Sequence, residues 1–201
     1  MPRGWQGFAL AWGRPPEYAA RPAAFGAGKC EETALKFALV DRILECSPPE
    51  RLVGVKAVSL AEEYLADHFP TFPVLPGVLM LEALAESAAW LVRATNDFAC
   101  SVVLLKDARN VTYKSFMKPG RLLRTEVTCR RMAPGESEFV GTGYSDEREV
   151  VKARFALRHF NLADRAASMA GVDARIISQA RERFALLCSE LQGHQPVKTT
   201  G

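Results

Sequence analysis

The chain has 201 residues, of which 48% are hydrophobic and 24% charged, and this composition suits one globular domain with appendages. Its net charge of +3 is too small to indicate a nucleic-acid-binding protein, and no nucleic-acid-binding motif accompanies it. The five cysteines lie far apart and form no Cys-x-x-Cys pair, so neither a disulfide framework nor a zinc site is indicated. We therefore expect a protein of the reducing cytoplasm with no metal site.

Residues 1–34 are rich in Pro, Gly, Ala and Arg and show no clear periodicity. Their short apolar run, at residues 8–12, lacks the length of a signal-peptide core. We expect this segment to be a loosely ordered N-terminal extension, and we expect no membrane span anywhere in the chain.

Residues 35–160 have the pattern of one folded domain. Two apolar stretches, 35–46 and 51–60, are separated by Ser47-Pro-Pro-Glu50 and predict two strands joined by a turn. A long apolar helix follows from Pro76. After the helix, four more strands are predicted, at residues 101–113, 122–132, 137–144 and 149–160. This order indicates an α+β domain in which an antiparallel sheet wraps around one long central helix.

The last segment, residues 161–201, changes character. Apolar residues recur there at helical spacing between polar ones, at Val172, Ile176, Ala180, Phe184, Leu187 and Leu191. This pattern predicts an extra C-terminal amphipathic helix followed by a frayed tail. The helix could pack on its own domain, as most apolar stripes do, or it could bind a partner.

The loop of residues 68–76 begins with His68 and contains three prolines. Because proline fixes φ and favours an extended residue before it, the loop should be stiff and non-helical. The helix that follows starts with Gly77 and Val78, whose N–H groups have no acceptor within the helix and carry the positive end of its dipole. A carbonyl oxygen that gains negative charge during a reaction would be stabilised there.

The central helix carries a carboxylate in apolar surroundings. Residues 78–92 are apolar except for Glu82, Glu86 and one serine, so we expect a buried helix on which an ionised Glu82 is costly without a partner. A histidine and a carboxylate in such a site can act as base and acid near neutral pH. The alternative is structural, with Glu82 hydrogen-bonded to the backbone or to Arg42.

Three stretches resemble, in this order, the signature of the 3-hydroxyacyl-acyl carrier protein dehydratases of the FabZ/FabA group: His68-Phe-Pro70, Pro73-Val-Leu-Pro-Gly-Val-Leu79 and Leu81-Glu-Ala-Leu-Ala85. The upstream Phe37-Ala-Leu-Val-Asp-Arg-Ile43 is similar to the first strand of that family. Downstream, Tyr113-Lys-Ser-Phe-Met-Lys-Pro-Gly120 is similar to its loop ending in Pro-Gly. The resemblance covers roughly residues 35–160.

The resemblance implies a hotdog fold and the conversion of a (3R)-3-hydroxyacyl thioester into a trans-2-enoyl thioester. His68 would take the proton from C2, the N–H groups of Gly77 and Val78 would hold the thioester carbonyl, and Glu82 would protonate or orient the departing 3-hydroxyl. The reaction would need no cofactor, because the substrate arrives on the phosphopantetheine of acyl carrier protein. The family also implies a homodimer or a trimer of dimers, with each site shared between two chains.

The sequence departs from the family pattern at four places. Thr71 stands where Gly is usual, Asp67 where Gly is common, and Glu86 where Gln is usual, and residues 30–36 lack the usual Pro-His-Arg segment. Two other functions remain open, a hotdog thioesterase and a non-catalytic acyl-binding subunit. The acyl chain length, the pathway and the choice between carrier protein and coenzyme A are also open.

A basic stretch follows the central helix. Between residues 106 and 131, eight basic residues accompany only two acidic ones. This excess predicts either a solvated sheet face or a docking surface for an acidic carrier protein. The docking candidates are Lys114, Lys118, Arg121 and Arg124.

Three other residues are interpreted as structural. We expect the aromatic residues Tyr113 and Phe116 to belong to the core rather than to a substrate tunnel. His159 is expected at an exposed strand end, and we assign none of the three to the site.

Overall fold

The computed structural model describes residues 38–69 and 71–189, so the predicted extension at residues 1–34 and the predicted tail lie outside the described residues. The strands are β1 Arg42–Ser47, β2 Arg51–Ala57, β3 Val102–Tyr113, β4 Leu122–Ala133, β5 Glu136–Ser145 and β6 Arg148–Phe160. The helices are α1 Glu63–Asp67, α2 Gly77–Thr95 and α3 Ala170–Leu187, with two short 3-10 helices at Leu162–Asp164 and Ala167–Met169. No helix in this part of the chain is long and apolar enough to cross a membrane.

The six strands form one antiparallel sheet in the order β1-β2-β4-β5-β6-β3. Helix α2 packs against five of them, β2 to β6, and its Ala83, Leu84, Ala88 and Leu91 are fully buried. The predicted α+β arrangement, a sheet around one long helix, is confirmed. The apolar run that predicted the helix therefore fills the space that the sheet encloses.

Glycines bring α2 close to the strands. A Cβ added at Gly54 would lie 3.0 Å from Thr125 Oγ1 and 3.3 Å from Ser87 Oγ, and one at Gly141 would lie 3.2 Å from Leu84 Cδ1. Ser87 Oγ donates to the Ala83 carbonyl at 2.8 Å and lies 2.7 Å from the Thr125 hydroxyl, which donates to it in turn. The buried hydroxyls are thus satisfied, and the helix cannot shift along the sheet without breaking this contact.

Strand β3 lies at one edge of the sheet and pairs only with β6 within the described chain. It is 12 residues long, and its Leu104 and Leu105 side chains are exposed. Natural proteins seldom leave a long edge strand with exposed apolar side chains uncovered. This edge is therefore a candidate surface for pairing with a second chain.

Helix α3 packs on its own domain. The Asp173 carboxylate accepts hydrogen bonds from the Ser101 hydroxyl and from the N–H groups of Leu162 and Ala163, the latter two at 3.0 and 2.8 Å. These three donors hold the pKa of Asp173 below its ordinary value against the opposing effect of burial. Of the two interpretations of the C-terminal helix, the structure favours the one in which it covers the core.

The expectation that His159 is exposed is wrong, because its side chain is only 5% exposed. Alternate residues of β6 point to the interior, and His159 continues the row formed by Phe155 and Leu157. Its Nε2 lies 3.0 Å from the Ser137 hydroxyl, and burial lowers the pKa of His159. It is therefore a satisfied core residue at neutral pH.

Replacing Gly143 with Ala should destabilise the fold by about 1–3 kcal/mol, the range for overpacked cores. The added Cβ would lie 2.6 Å from Val151 Cγ1 and 3.1 Å from Leu123 Cδ1. Gly171→Ala is the matched control, since its added Cβ meets no described atom within 4 Å and Ala favours the helix. Chemical denaturation measures both variants. A free energy of unfolding of Gly143→Ala equal to that of the unmodified protein would contradict this packing.

Candidate active site

The loop that carries His68 is restrained by a turn within it and by a bond to the segment around Met117. His68 follows α1 with φ −100° and ψ 99°, and its half-buried ring lies 4.5 Å from the ring of Phe69. Phe69 has a φ of 53°, a left-handed conformation that costs a non-glycine residue about 1–2 kcal/mol, and its carbonyl accepts the Phe72 N–H at 2.7 Å. Farther along, the Leu75 N–H donates to the Met117 carbonyl at 2.8 Å. These bonds and the prolines restrain the loop between His68 and the start of α2.

The start of α2 is open to a ligand. The N–H groups of Leu79 and Met80 donate to the Pro76 carbonyl, which leaves those of Gly77 and Val78 ahead of the first helical hydrogen bond. A Cβ at Gly77 would lie 3.1–3.3 Å from ring atoms of Tyr113. Glycine therefore lets the Tyr113 ring lie against the helix start.

Tyr113 and Phe116 are not core residues, so that expectation is wrong. Their side chains are 45% and 68% exposed, and the Phe116 ring lies edge-on to Phe72 with the ring centroids 6.0 Å apart. Tyr113 ends the edge strand β3 and Phe116 follows it, and no further layer of the described residues covers them there. The sequence held a signal for this exposure, because the aromatics flank the polar pair Lys114 and Ser115. We call Phe72, Tyr113 and Phe116 the entrance aromatics.

Glu82 lies on a face of α2 that the sheet does not cover, and its side chain is exposed in the single chain. The expectation that α2 is buried on all sides is therefore wrong at this position. The surrounding protein still shields the carboxyl partly from water, and this desolvation, together with the charge of Glu86, raises the pKa of Glu82. The protonated form of Glu82 consequently persists to higher pH than in a glutamate fully surrounded by water.

Glu86 is half-buried one turn further along α2. Its carboxylate accepts the Leu39 N–H at 2.7 Å and forms an ion pair with Arg183 of α3 at 3.6 Å. Burial raises the pKa of Glu86, and the Leu39 N–H and the Arg183 charge oppose this effect. The family resemblance drew attention to Glu86, but nothing in the local sequence indicated that Arg183 would lie beside it.

One chain brings only part of the predicted site together. The N–H groups of Gly77 and Val78 form the start of α2, and His68 lies in the loop that precedes it. Glu82 lies about 7.5 Å along the axis from Gly77 at 1.5 Å per residue. No hydrogen bond or ion pair joins His68 to Glu82 within the described part of one chain. A separate cleft of about 620 Å³, lined by charged residues of β3 to β6, contains none of the predicted site residues.

Three of the four predicted docking cations are ion-paired. The pairs are Lys114 with Glu149, Arg121 with Asp146, and Arg124 with both Glu126 and Glu147. Three of these four acids, at positions 146, 147 and 149, lie outside the basic stretch in sequence, which is why a local count overstated the charge excess. The fourth cation, Lys118, lies 5.1 Å from the ring centroid of Phe72, beside the entrance aromatics.

Comparison with known proteins gives concordant matches. The model of the FabA-like domain family matches residues 33–154. The 3-hydroxyacyl-[acyl-carrier-protein] dehydratase FabZ of Symbiobacterium thermophilum is 38% identical over 130 residues, which cover 65% of this chain and 89% of the relative. The protein of the same name from Chloroflexus aggregans is 43% identical over 99 residues, covering 49% of this chain and 69% of the relative.

A solved structure shows the same fold. The dehydratase heterocomplex ApeI:P from Xenorhabdus doucetiae matches with a TM-score of 0.54 and 16% sequence identity, covering 66% of this chain and 90% of that chain. The structure is thus a hotdog fold. The family match spans more than half of the sequence and includes His68, Gly77 and Glu82, whereas α3 lies beyond it. The chain belongs to the FabA-like domain family.

Proposed function

We propose that the protein is a 3-hydroxyacyl-[acyl-carrier-protein] dehydratase of fatty acid biosynthesis or a related lipid or polyketide pathway. It removes water from a (3R)-3-hydroxyacyl thioester and leaves the trans-2-enoyl thioester. The observation that carries this proposal is the ordered placement of His68, the open helix start and Glu82 within the family match. The curated relatives carry the name of this activity.

The proposed roles follow from the charges that develop during the reaction. His68 takes the proton from C2, and the electrons of that C–H bond form the C2–C3 double bond as the C3–O bond breaks. The hydroxyl departs as water with a proton from Glu82. The N–H groups of Gly77 and Val78 bind the thioester oxygen while it gains enolate character. Hydrogen and hydroxyl leave the same molecule, so no electrons are exchanged and no redox cofactor is required.

The raised pKa of Glu82 supports its role as the acid. Desolvation and the neighbouring Glu86 both disfavour the Glu82 carboxylate, so a proton remains available on Glu82 closer to neutral pH. A carboxyl group with its ordinary pKa would be almost fully ionised there and would be a poor proton donor.

The site is completed by a second copy of the chain in this proposal. Two chains pair along the open edge of β3, and each site takes His68 from one chain and the α2 helix bearing Glu82 from the other. The exposed Leu104 and Leu105, and the lack of a contact between His68 and Glu82 within the described chain, support this arrangement. A symmetric dimer has two such sites, and a trimer of dimers has six.

Acyl carrier protein is the proposed partner, and it delivers the acyl chain on its phosphopantetheine arm in the cytoplasm. Residues 35–160 form the catalytic domain, with residues 1–34 and 161–201 as appendages. Of the docking candidates, Lys118 has the best support because it lies at the entrance aromatics, whereas the charges of Lys114, Arg121 and Arg124 are compensated by ion pairs.

His68→Ala and Glu82→Gln should each reduce dehydration about 10²- to 10⁴-fold, because general acid and base groups contribute that much. The products of a 3-hydroxyacyl-carrier protein substrate are identified by mass spectrometry, which separates the enoyl thioester from the free acid of a thioesterase. Circular dichroism confirms that each variant is folded. Release of free acid by the unmodified protein, or near-normal turnover in either variant, would contradict the assignment.

Lys118→Gln should raise KM for a carrier-bound substrate about threefold to tenfold and reduce its salt dependence, because a rim charge acts mainly on encounter. A small pantetheine-linked substrate should be unaffected. Arg121→Gln is the matched control, since it removes a charge that Asp146 already compensates. If both variants lose activity equally on both substrates, the basic stretch has no docking role.

A further inference from the structure

The Glu86 carboxylate is held from two sides by elements distant in sequence. The Leu39 N–H donates to Oε2 at 2.7 Å from the segment before β1, and Arg183 Nη2 lies 3.6 Å from Oε1 on the side of α3. The side chain of Glu86 is 19% exposed and that of Arg183 is 35% exposed. The pair therefore lies at the half-buried junction of α2 and α3, where solvent screens it less than an exposed pair.

The docking of α3 determines where Arg183 lies. The ring of the adjacent Phe184 packs against Trp90 and Phe98, with centroid distances of 6.0 and 5.5 Å. Arg181 donates to Asp97 Oδ1 at 2.9 Å and to the Asp97 carbonyl at 2.6 Å. Contacts at Arg181, two residues before Arg183, and at Phe184, the next residue, thus hold this part of α3 against α2 and the segment that follows it.

The charged groups that act on Glu86 come from two helices. Glu82 and Arg93 lie on α2 itself, one turn before and two turns after Glu86, and Arg183 reaches it from α3. The polar groups are the Leu39 N–H from the segment before β1 and the Trp90 indole on α2. Arg183 is thus the cation that α3 contributes.

We propose that Arg183 is a positioning residue for the dehydration. It keeps the negative charge on Glu86, so that the proton shared by the neighbouring carboxyl groups of Glu82 and Glu86 stays on Glu82. The inference rests on the proposed function and assigns to α3 a part in the reaction. Arg183 itself touches no substrate. It acts through Glu86. The family match ends at residue 154, before α3 begins.

Two carboxyl groups one helical turn apart titrate as a coupled pair. When the pair holds one proton, the carboxyl whose anion is better stabilised gives the proton up to the other. Arg183 and the Leu39 N–H stabilise the anion of Glu86, whereas burial favours a proton there. Without Arg183 the balance moves toward protonated Glu86 and ionised Glu82, and ionised Glu82 cannot protonate the leaving hydroxyl.

Arg183→Gln should therefore lower the plateau of the pH–rate profile about threefold to tenfold, since one pKa unit corresponds to tenfold. The alkaline limb should move to higher pH, because the second ionisation of the pair loses its nearby cation. Arg183→Lys should restore most of both properties. Arg175→Gln, which removes an exposed charge from the same helix, should change neither.

A double variant isolates the path of the effect. In a Glu86→Gln background, Arg183→Gln should change the plateau by about twofold or less, because the carboxylate through which it acts is gone. An equally large effect in this background would show that Arg183 supports only the packing of α3, and the proposal would be overturned.

Carbon-13 NMR of the glutamate side-chain carboxyls provides a readout that needs no activity. In the unmodified protein Glu86 should titrate at lower pH than Glu82, and in Arg183→Gln the two should approach each other or change order. An unchanged order and spacing would overturn the proposal. If the unmodified protein forms no enoyl product, the proposed function fails, and the NMR titration still decides whether Arg183 places the proton.

Discussion

The close packing of α2 against the sheet is the constraint on which the site depends. Gly54 and Gly141 let strands β2 and β5 approach the helix, and the Ser87 hydroxyl links it to Thr125 of β4. With the helix fixed along its axis, its start lies at the proline loop and the face bearing Glu82 is turned away from the sheet. A shift of one residue in this packing would move both the free N–H groups and the carboxylate.

Local sequence chemistry predicted the loop, the helix start and most strands, because prolines, glycines and apolar periodicity act over a few residues. It failed where distant segments decide the outcome. An apolar run does not reveal which helix face is left for a partner, so the exposure of Glu82 was not predicted. The acids that pair with Arg121 and Lys114 come from the turn between β5 and β6 and from the start of β6, outside the basic stretch.

His159 is a different kind of error. Its burial was available from the alternation of β6, where every second residue from Ala153 to Leu157 is apolar and buried. The same alternation continues to the end of the strand and places His159 on the buried face. The ion pair of Glu86 with Arg183 could not have been found in this way, since it depends on how α3 packs. Glu86 stands where the family resemblance implies Gln, and the C-terminal helix outside the family match supplies its cation.

The central claim is that two chains form each site, and subunit exchange tests it most directly. Inactive His68→Ala and Glu82→Gln proteins are mixed and reassociated, with exchange verified by copurification of differently tagged chains. In a mixed dimer one site carries both lesions and the other is intact, so random exchange should restore about a quarter of the unmodified activity. If exchange is complete and no activity returns, each site is built within one chain and the shared architecture is wrong.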